Sequence, residues 1–172
     1  MSEPLASSDA LAERNLLVLR HAKSDWPAGV ADQDRPLAAR GRRDAPEAGR
    51  WIAAQAGAPD LAVVSPATRT RQTWELVSAQ LPSAVTASYD DRIYDATTEQ
   101  LYAVLREVDQ TATTVVLVGH NPGCHALVDE LTDGAAPARY PTCGLALLGV
   151  TVPWSQLQPG TARLLAFAVP RG

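Results

Sequence analysis

The chain has 172 residues and a mass of 18.3 kDa, with 46% hydrophobic and 20% charged residues, the composition of an ordinary globular protein built around one core. A net charge of −4 and a pI near 5.3 exclude broad binding to nucleic acid or to an anionic membrane surface. An anionic substrate would need a local gathering of arginines on an otherwise acidic protein.

Two cysteines, Cys124 and Cys143, are too few for a disulfide scaffold. The stretch Met1 to Asn15 carries Glu3, Asp9 and Glu13 and lacks the apolar centre of a secretory signal. No apolar run approaches the ~20 residues that span a bilayer. A cytoplasmic protein with reduced thiols is expected, bound neither to nucleic acid nor to membrane.

In chain order, residues 1–14 read as a flexible tail, small and polar, and 15–172 as a single domain. Leu16-Leu17-Val18-Leu19 is a continuous apolar run, the pattern of a strand buried on both faces, and it ends in Arg20-His21. Ser24 to Arg35, with Pro27, Gly29 and three aspartates, reads as a long loop whose Trp26 is a candidate for the mouth of a pocket. Ala38 to Gln55 reads as a helix kinked or restarted at Pro46 and closed by Gly57 and Pro59. Leu61 to Ser65 is a second buried strand. Thr68 to Leu81 follows as a helix with Trp74, Leu76 and Val77 inward, then Ala84 to Ser88 as a weaker strand.

Thr97 to Gln100 spells a capping box for a helix through Leu101, Leu105 and Val108. Thr114 to Gly119 is the clearest strand, followed by His120-Asn121-Pro122-Gly123 and a helix from near Cys124 to Leu131. Two β-rich segments, Leu145 to Val150 and Arg163 to Val169, complete the chain. Strands alternating with helices predict a layered α/β fold.

In open α/β sheets, ligands gather beyond the carboxyl ends of the strands. Three strands here end in groups suited to phosphate: Arg20-His21, Ser65 with Arg69 one turn later, and Gly119-His120-Asn121. If these strands are parallel, the three ends share one edge, and two histidines and two arginines converge. Neutral imidazole can attack phosphorus and form a covalent phosphohistidine. Arginine suits the charge that a transferring phosphoryl group spreads over its oxygens, because its planar fork donates two hydrogen bonds and keeps its charge. Arg69, near a helix start, adds free backbone N–H groups.

Leu19-Arg20-His21-Ala22-Lys23, Ser65-Pro66-Ala67-Thr68-Arg69-Thr70-Arg71-Gln72-Thr73 and Gly119-His120-Asn121-Pro122 resemble, in order, the three signatures of the histidine phosphatase superfamily. Asp34-Arg35-Pro36-Leu37, Arg40-Gly41-Arg42-Arg43 and Ile93-Tyr94-Asp95-Ala96 resemble its compact branch, named after the phosphohistidine phosphatase SixA. The likeness runs from about Leu16 to Leu148. It implies a three-layer α/β sandwich with a mostly parallel central sheet, the phosphoglycerate mutase-like fold. It also implies that His21 is the nucleophile, that Arg20 and Arg69 hold the phosphoryl oxygens, and that His120 donates to them, most effectively as imidazolium. Arg35 is implied to approach the phosphate, and Ser65 and Asn121 are assigned with it to substrate binding. No cofactor and no metal is required, because the arginines supply the charge.

Two departures from the family pattern stand out. Ala22 replaces the usual glycine after Arg-His and cannot take up glycine-only backbone angles without strain. Larger branches supply a glutamate as general acid, for which Asp95 is the nearest candidate here. A site without a dedicated acid is better matched to P–N than to P–O cleavage, since a protonated phosphoimidazole leaves as neutral imidazole and free histidine titrates near ~6.5.

Other features carry plainer readings. His125 beside Cys124 offers too few ligands for zinc and reads as a surface or half-buried histidine. Asp32 reads as a solvated loop residue and Asp34 as a partner for an arginine. Neither cysteine has an arginine six residues on, and no P-loop is present. Arg40, Arg42, Arg43 and Arg71 read as exposed charge suited to steering a phosphoprotein. The favoured function is a metal-independent phosphatase that removes phosphate from phosphohistidine in a protein, since no insertion large enough to act as a lid closes the site. The alternatives are a small-molecule phosphoester phosphatase or mutase, and a non-catalytic module that docks a phosphorylated partner.

Overall fold

The computed structural model describes residues 14–172, so the expected tail, apart from Arg14, lies outside the described residues. Six strands form one sheet: β1 (Arg14–Arg20), β2 (Leu61–Val64), β3 (Thr86–Tyr89), β4 (Thr114–Gly119), β5 (Leu145–Val150) and β6 (Ala162–Ala168), in the spatial order β3-β2-β4-β1-β5-β6. β1 to β4 run parallel, while β5 is antiparallel to both of its neighbours. Among the described residues, four helices cover the two faces: α1 (Ala39–Ala56), α2 (Thr68–Ser78), α3 (Thr98–Arg106) and α4 (Gly123–Leu131).

Side-chain alternation along β1 divides the core. Leu17 and Leu19 pack with Val64, Val116 and Val118 against Ala45, Ala48 and Ile52 of α1 and Trp74 and Val77 of α2. Leu16 and Val18 face the other way, toward Leu101 and Leu105 of α3 and Leu127 and Val128 of α4. The four apolar residues of the β1 run are therefore all fully buried, as a strand sandwiched between helical layers requires. The architecture is a three-layer α/β sandwich.

Register places the site. Arg20 on β1 pairs with Gly119 on β4, and Val64 on β2 pairs with Val118. The three strands thus end level with one another, and His21, Ser65 and His120 follow at the same edge.

Local boundaries differ from the sequence reading in a few places. α1 runs unbroken through Pro46, with neither restart nor second cap. The missing N–H and the ring's crowding of the preceding turn cost about 3 kcal/mol. Burial of Ala45, Ala48 and Ile52 on the sheet offsets that. Gly49 lets α1 approach α2, since a Cβ there would lie 2.4 Å from the Val77 carbonyl oxygen. α2 stops at Ser78 and α3 at Arg106, each two or three residues short of the reading. The α3 capping box is present, with the Thr97 hydroxyl accepting from the Gln100 N–H and the Gln100 side chain accepting from the Thr97 N–H.

Candidate active site

His21 is fixed at both backbone groups. Its N–H donates to the Gly119 carbonyl at 3.0 Å, and its carbonyl accepts from the Cys143 N–H at 2.9 Å. The next residue, Ala22, donates its N–H to the Thr73 hydroxyl of α2 at 3.0 Å. Ala22 is not among the described residues with positive φ, so alanine substitutes for glycine here without strain.

The His21 ring lies with Nδ1 2.7 Å from the carbonyl oxygen of Ala22. A carbonyl only accepts, so Nδ1 carries the proton and Nε2 is left with its lone pair. Burial, with further repulsion from His120, Arg69 and Arg20, lowers the pKa of the ring to about 3. At neutral pH His21 is an uncharged imidazole of fixed tautomer, the form in which a histidine acts as a nucleophile.

Guanidinium groups surround it. Arg20 donates through Nη1 to the Tyr140 carbonyl at 3.0 Å, and Tyr140 in turn donates its hydroxyl to the carbonyl of Val18. Arg69, in the first turn of α2, reaches back to Asp32, donating to its carbonyl at 2.7 Å and to its carboxylate at 3.1 Å. Arg35 is held by the Asp25 carbonyl at 3.0 Å, the Asp32 carboxylate at 2.8 Å and the Ser24 hydroxyl. The Trp26 ring stacks on its guanidinium, whose carbon lies 3.2 Å from the ring centroid.

His120 stands beside His21, with ring centroids 5.3 Å apart and planes inclined by 59°. Its Nε2 meets the Ser65 hydroxyl at 2.7 Å, and Tyr94 packs edge-on against its other side at 5.5 Å. Burial first, then the charge on Arg69, lowers the His120 pKa to about 4. The free site therefore holds His120 neutral rather than as the imidazolium that the family likeness implies. A bound dianion reverses that balance by favouring the protonated ring.

Arg20, His21, Lys23, Ser24, Trp26, Arg35, Arg69, His120, Asn121 and Thr142 line one cleft of about 250 Å³. Three nitrogens of these residues are buried and have no protein partner: Nε of Arg20, Nε of Arg69 and Nδ1 of His120. Buried donors are rarely left unmade, because each costs roughly 1–3 kcal/mol of lost hydration. Arg20, Arg35, Arg69 and His120 share the cleft with the neutral His21 imidazole, a set of donors that suits a tetrahedral oxyanion. A larger groove of about 360 Å³ lies between α1 and the end of β6, but it shares no residue with this cleft and is lined by no histidine, cysteine or serine.

The sequence profile of the histidine phosphatase superfamily (branch 1) matches residues 16–100. The solved structure of the SixA assigned in Nakamurella multipartitia superposes with a TM-score of 0.83 at 30% identity, covering 92% of this chain and 96% of that one. The chain belongs to the histidine phosphatase superfamily. It is SixA-like within that superfamily, with the phosphoglycerate mutase-like fold. The SixA assigned in Agrobacterium tumefaciens matches at 31% identity and a TM-score of 0.77, covering 91% of this chain and 98% of that one. The uncharacterized protein Rv1276c of Mycobacterium tuberculosis is 41% identical over 162 residues, covering 89% of this chain and all of its own length.

Not every residue singled out in this histidine phosphatase lies where the motifs imply. Ser65 is fully buried and does not line the cleft; its hydroxyl sits behind His120 and braces it. Asn121 lines the cleft, yet its amide donates to the Tyr140 carbonyl at 2.8 Å and accepts from the His125 N–H at 3.3 Å, so it mainly braces the wall. Asp95 is exposed, adopts φ 52° and does not line the cleft, which argues against it as general acid. Asp32, not Asp34, is the carboxylate that pairs with arginine. His125 is half-buried and donates to the Pro137 carbonyl at 2.8 Å.

Sequence reasoning missed Asp32, Tyr94 and Tyr140 as parts of the site. Tyr94 stands in the Ile-Tyr-Asp-Ala motif, one residue before the aspartate that drew attention, so a signal for it was present. Among the described residues, no group of three or more His, Cys, Asp or Glu is placed to hold a metal ion, and no helix is long and apolar enough to cross a membrane.

Proposed function

We propose that the protein is a metal-independent phosphohistidine phosphatase that carries the phosphoryl group on Nε2 of His21. The observation that carries this reading is the Nδ1 hydrogen bond of His21 to the Ala22 carbonyl, which leaves Nε2 unprotonated beside three arginines. Nε2 attacks phosphorus as the P–N bond to the leaving ring breaks, and that bond's electron pair stays on the leaving nitrogen. The proton on the other nitrogen of the leaving ring remains, so imidazole departs neutral and needs no protein acid. Water then attacks phosphorus, the P–Nε2 bond breaks with its pair returning to His21, and the displaced water proton goes to the released phosphate.

Arg20, Arg69 and Arg35 hold the equatorial oxygens, where charge gathers in the transition state. With the Ser65 hydroxyl donating to Nε2 of His120, Nδ1 carries the proton and is the ring's unpaired donor. Lack of a carboxylic acid among the cleft residues supports P–N over P–O substrates. The open cleft supports a phosphate carried on a protein. The buried, unpaired thiols of Cys124 and Cys143 support a cytoplasmic setting.

A panel of a phosphohistidine protein, a phosphoserine peptide and several sugar phosphates tests the reading. Turnover of the phosphohistidine protein at least about a hundredfold above the esters, in kcat/KM, is expected from the missing acid, whose usual contribution is about 10²–10⁴-fold. Comparable turnover of the esters would overturn it.

A further inference from the structure

Among the described residues, Trp26 is the most exposed large hydrophobic side chain, at 73%, and it lines the cleft. Core packing does not account for it. Trp74 and Trp154 are buried, and Trp51 is half-buried. It is also the one apolar residue in the lining, which otherwise consists of three arginines, two histidines, Lys23 and the polar side chains of Ser24, Asn121 and Thr142.

One face of the indole is taken by Arg35, with the guanidinium carbon 3.2 Å from the ring centroid. Arg35 is 6% exposed and is independently fixed by Asp25, Asp32 and Ser24. Removing the indole therefore leaves Arg35 with its other anchors. The Asp32 carboxylate already offsets the charge of Arg35, so the indole is free to engage a second cation. The rest of the ring faces solvent at the cleft mouth. When the phosphoryl group occupies the arginines on the floor, whatever lies beyond the scissile bond projects toward that mouth.

We propose that Trp26 is the platform against which the leaving group stacks, and that it selects a planar, protonated aromatic ring over a leaving group without a ring. The inference rests on the phosphatase reading above and names the feature of the substrate that the cleft recognises. A phosphorylated imidazole carries its positive charge at the moment of P–N cleavage, and the negative face of an indole is the best aromatic partner for such a cation. A leaving amine with no ring is also a cation, but it has no planar face to stack on the same surface.

The test compares phosphoimidazole with phosphoramidate, two P–N substrates that differ by the ring, in the wild-type protein, Trp26→Leu and Trp26→Phe. For Trp26→Leu, kcat/KM on phosphoimidazole is expected to fall about tenfold, while phosphoramidate stays within about twofold. Trp26→Phe is expected to recover most of the loss. An equal loss on both substrates would mean that the indole only holds Arg35 in place, and no loss on either would mean that it touches nothing; both results overturn the inference and leave the phosphatase reading intact. Failure of the wild-type protein to hydrolyse either substrate would remove the phosphatase reading, and the inference with it.

Discussion

Arg69 donates to Asp32 twice, from Nη1 to the backbone carbonyl at 2.7 Å and from Nη2 to the carboxylate at 3.1 Å. The same carboxylate accepts from Arg35 and from the Tyr94 hydroxyl. The Tyr94 hydrogen bond, followed by that of Arg35, holds the Asp32 carboxyl well below the usual carboxylate range. Asp32 is thus the resident counter-anion of the two guanidiniums that an incoming phosphoryl group must share.

Replacing that charge without changing its shape should strengthen anion binding. For Asp32→Asn, the inhibition constant of inorganic phosphate is expected to fall about tenfold, as removal of one half-exposed unit charge several ångströms from the anion implies. Competitive inhibition assays read this directly. An unchanged constant would show that Asp32 does not compete for the arginines.

Removal of the phosphate holders should cost far more in rate than in stability. Arg69→Ala and His120→Ala are each expected to lower turnover by about 10³-fold, the usual scale for losing a preorganised donor at developing charge. Circular dichroism and thermal melting should show the fold retained, because neither side chain belongs to the two apolar clusters. Near-normal rates in either variant would mean that the phosphate lies elsewhere.

The Ser65 hydroxyl meets Nε2 of His120 and also accepts from the Ala67 N–H at 3.4 Å. Ser65→Ala removes the group that meets Nε2 and so frees the ring's tautomer and orientation. Turnover is expected to fall about 10- to 100-fold, on the scale seen when the partner that orients a working histidine is lost. The pH–rate profile should shift as well, because the His120 ring then titrates in a different setting. A profile identical to that of the wild-type protein would assign Ser65 a purely structural role.

The two lowered histidine pKa values also make stability depend on pH. Both rings titrate below the ordinary value of 6.5, His120 at about 4 and His21 at about 3. Between those values the unfolded chain binds more protons than the folded one. The contribution is therefore complete above about pH 6.5 and is lost as pH falls, by up to about 1.4 kcal/mol per histidine per pH unit. Melting temperatures measured from pH 8 to 4.5 should fall less steeply in His120→Asn than in the wild-type protein. Parallel slopes would contradict the burial of a neutral His120.

Much of this architecture is legible in the sequence because its signals are local and strong. The apolar runs of β1 and β4 are short and rich in Val and Leu, which favours a doubly covered strand over a helix, and the polar groups that follow them mark the edge where they end. The order of the three motifs then assembles the cleft. Asp32 is illegible for the opposite reason. It sits in a short 3₁₀ turn within a loop that has no periodicity, and its partner Arg69 is 37 residues away. Asp34, two residues on, looks equivalent in the sequence, and only the path of the loop separates them. Pro46 misleads because helix propensity is a weak term beside the burial of Ala45, Ala48 and Ile52. Ser65, the residue after β2, is fully buried and meets His120 instead of lining the cleft, a contact 55 residues distant in the chain that the motif does not reveal.

Turnover is expected to pass through a covalent phosphoryl group on Nε2 of His21. Rapid quenching with a radiolabelled phosphodonor, followed by peptide mapping, measures this most directly. An acid-labile, base-stable label on the peptide that contains His21, absent from His21→Ala, is the predicted result. A label on any other residue, or hydrolysis that persists in His21→Ala, would rule out phosphoryl transfer through His21.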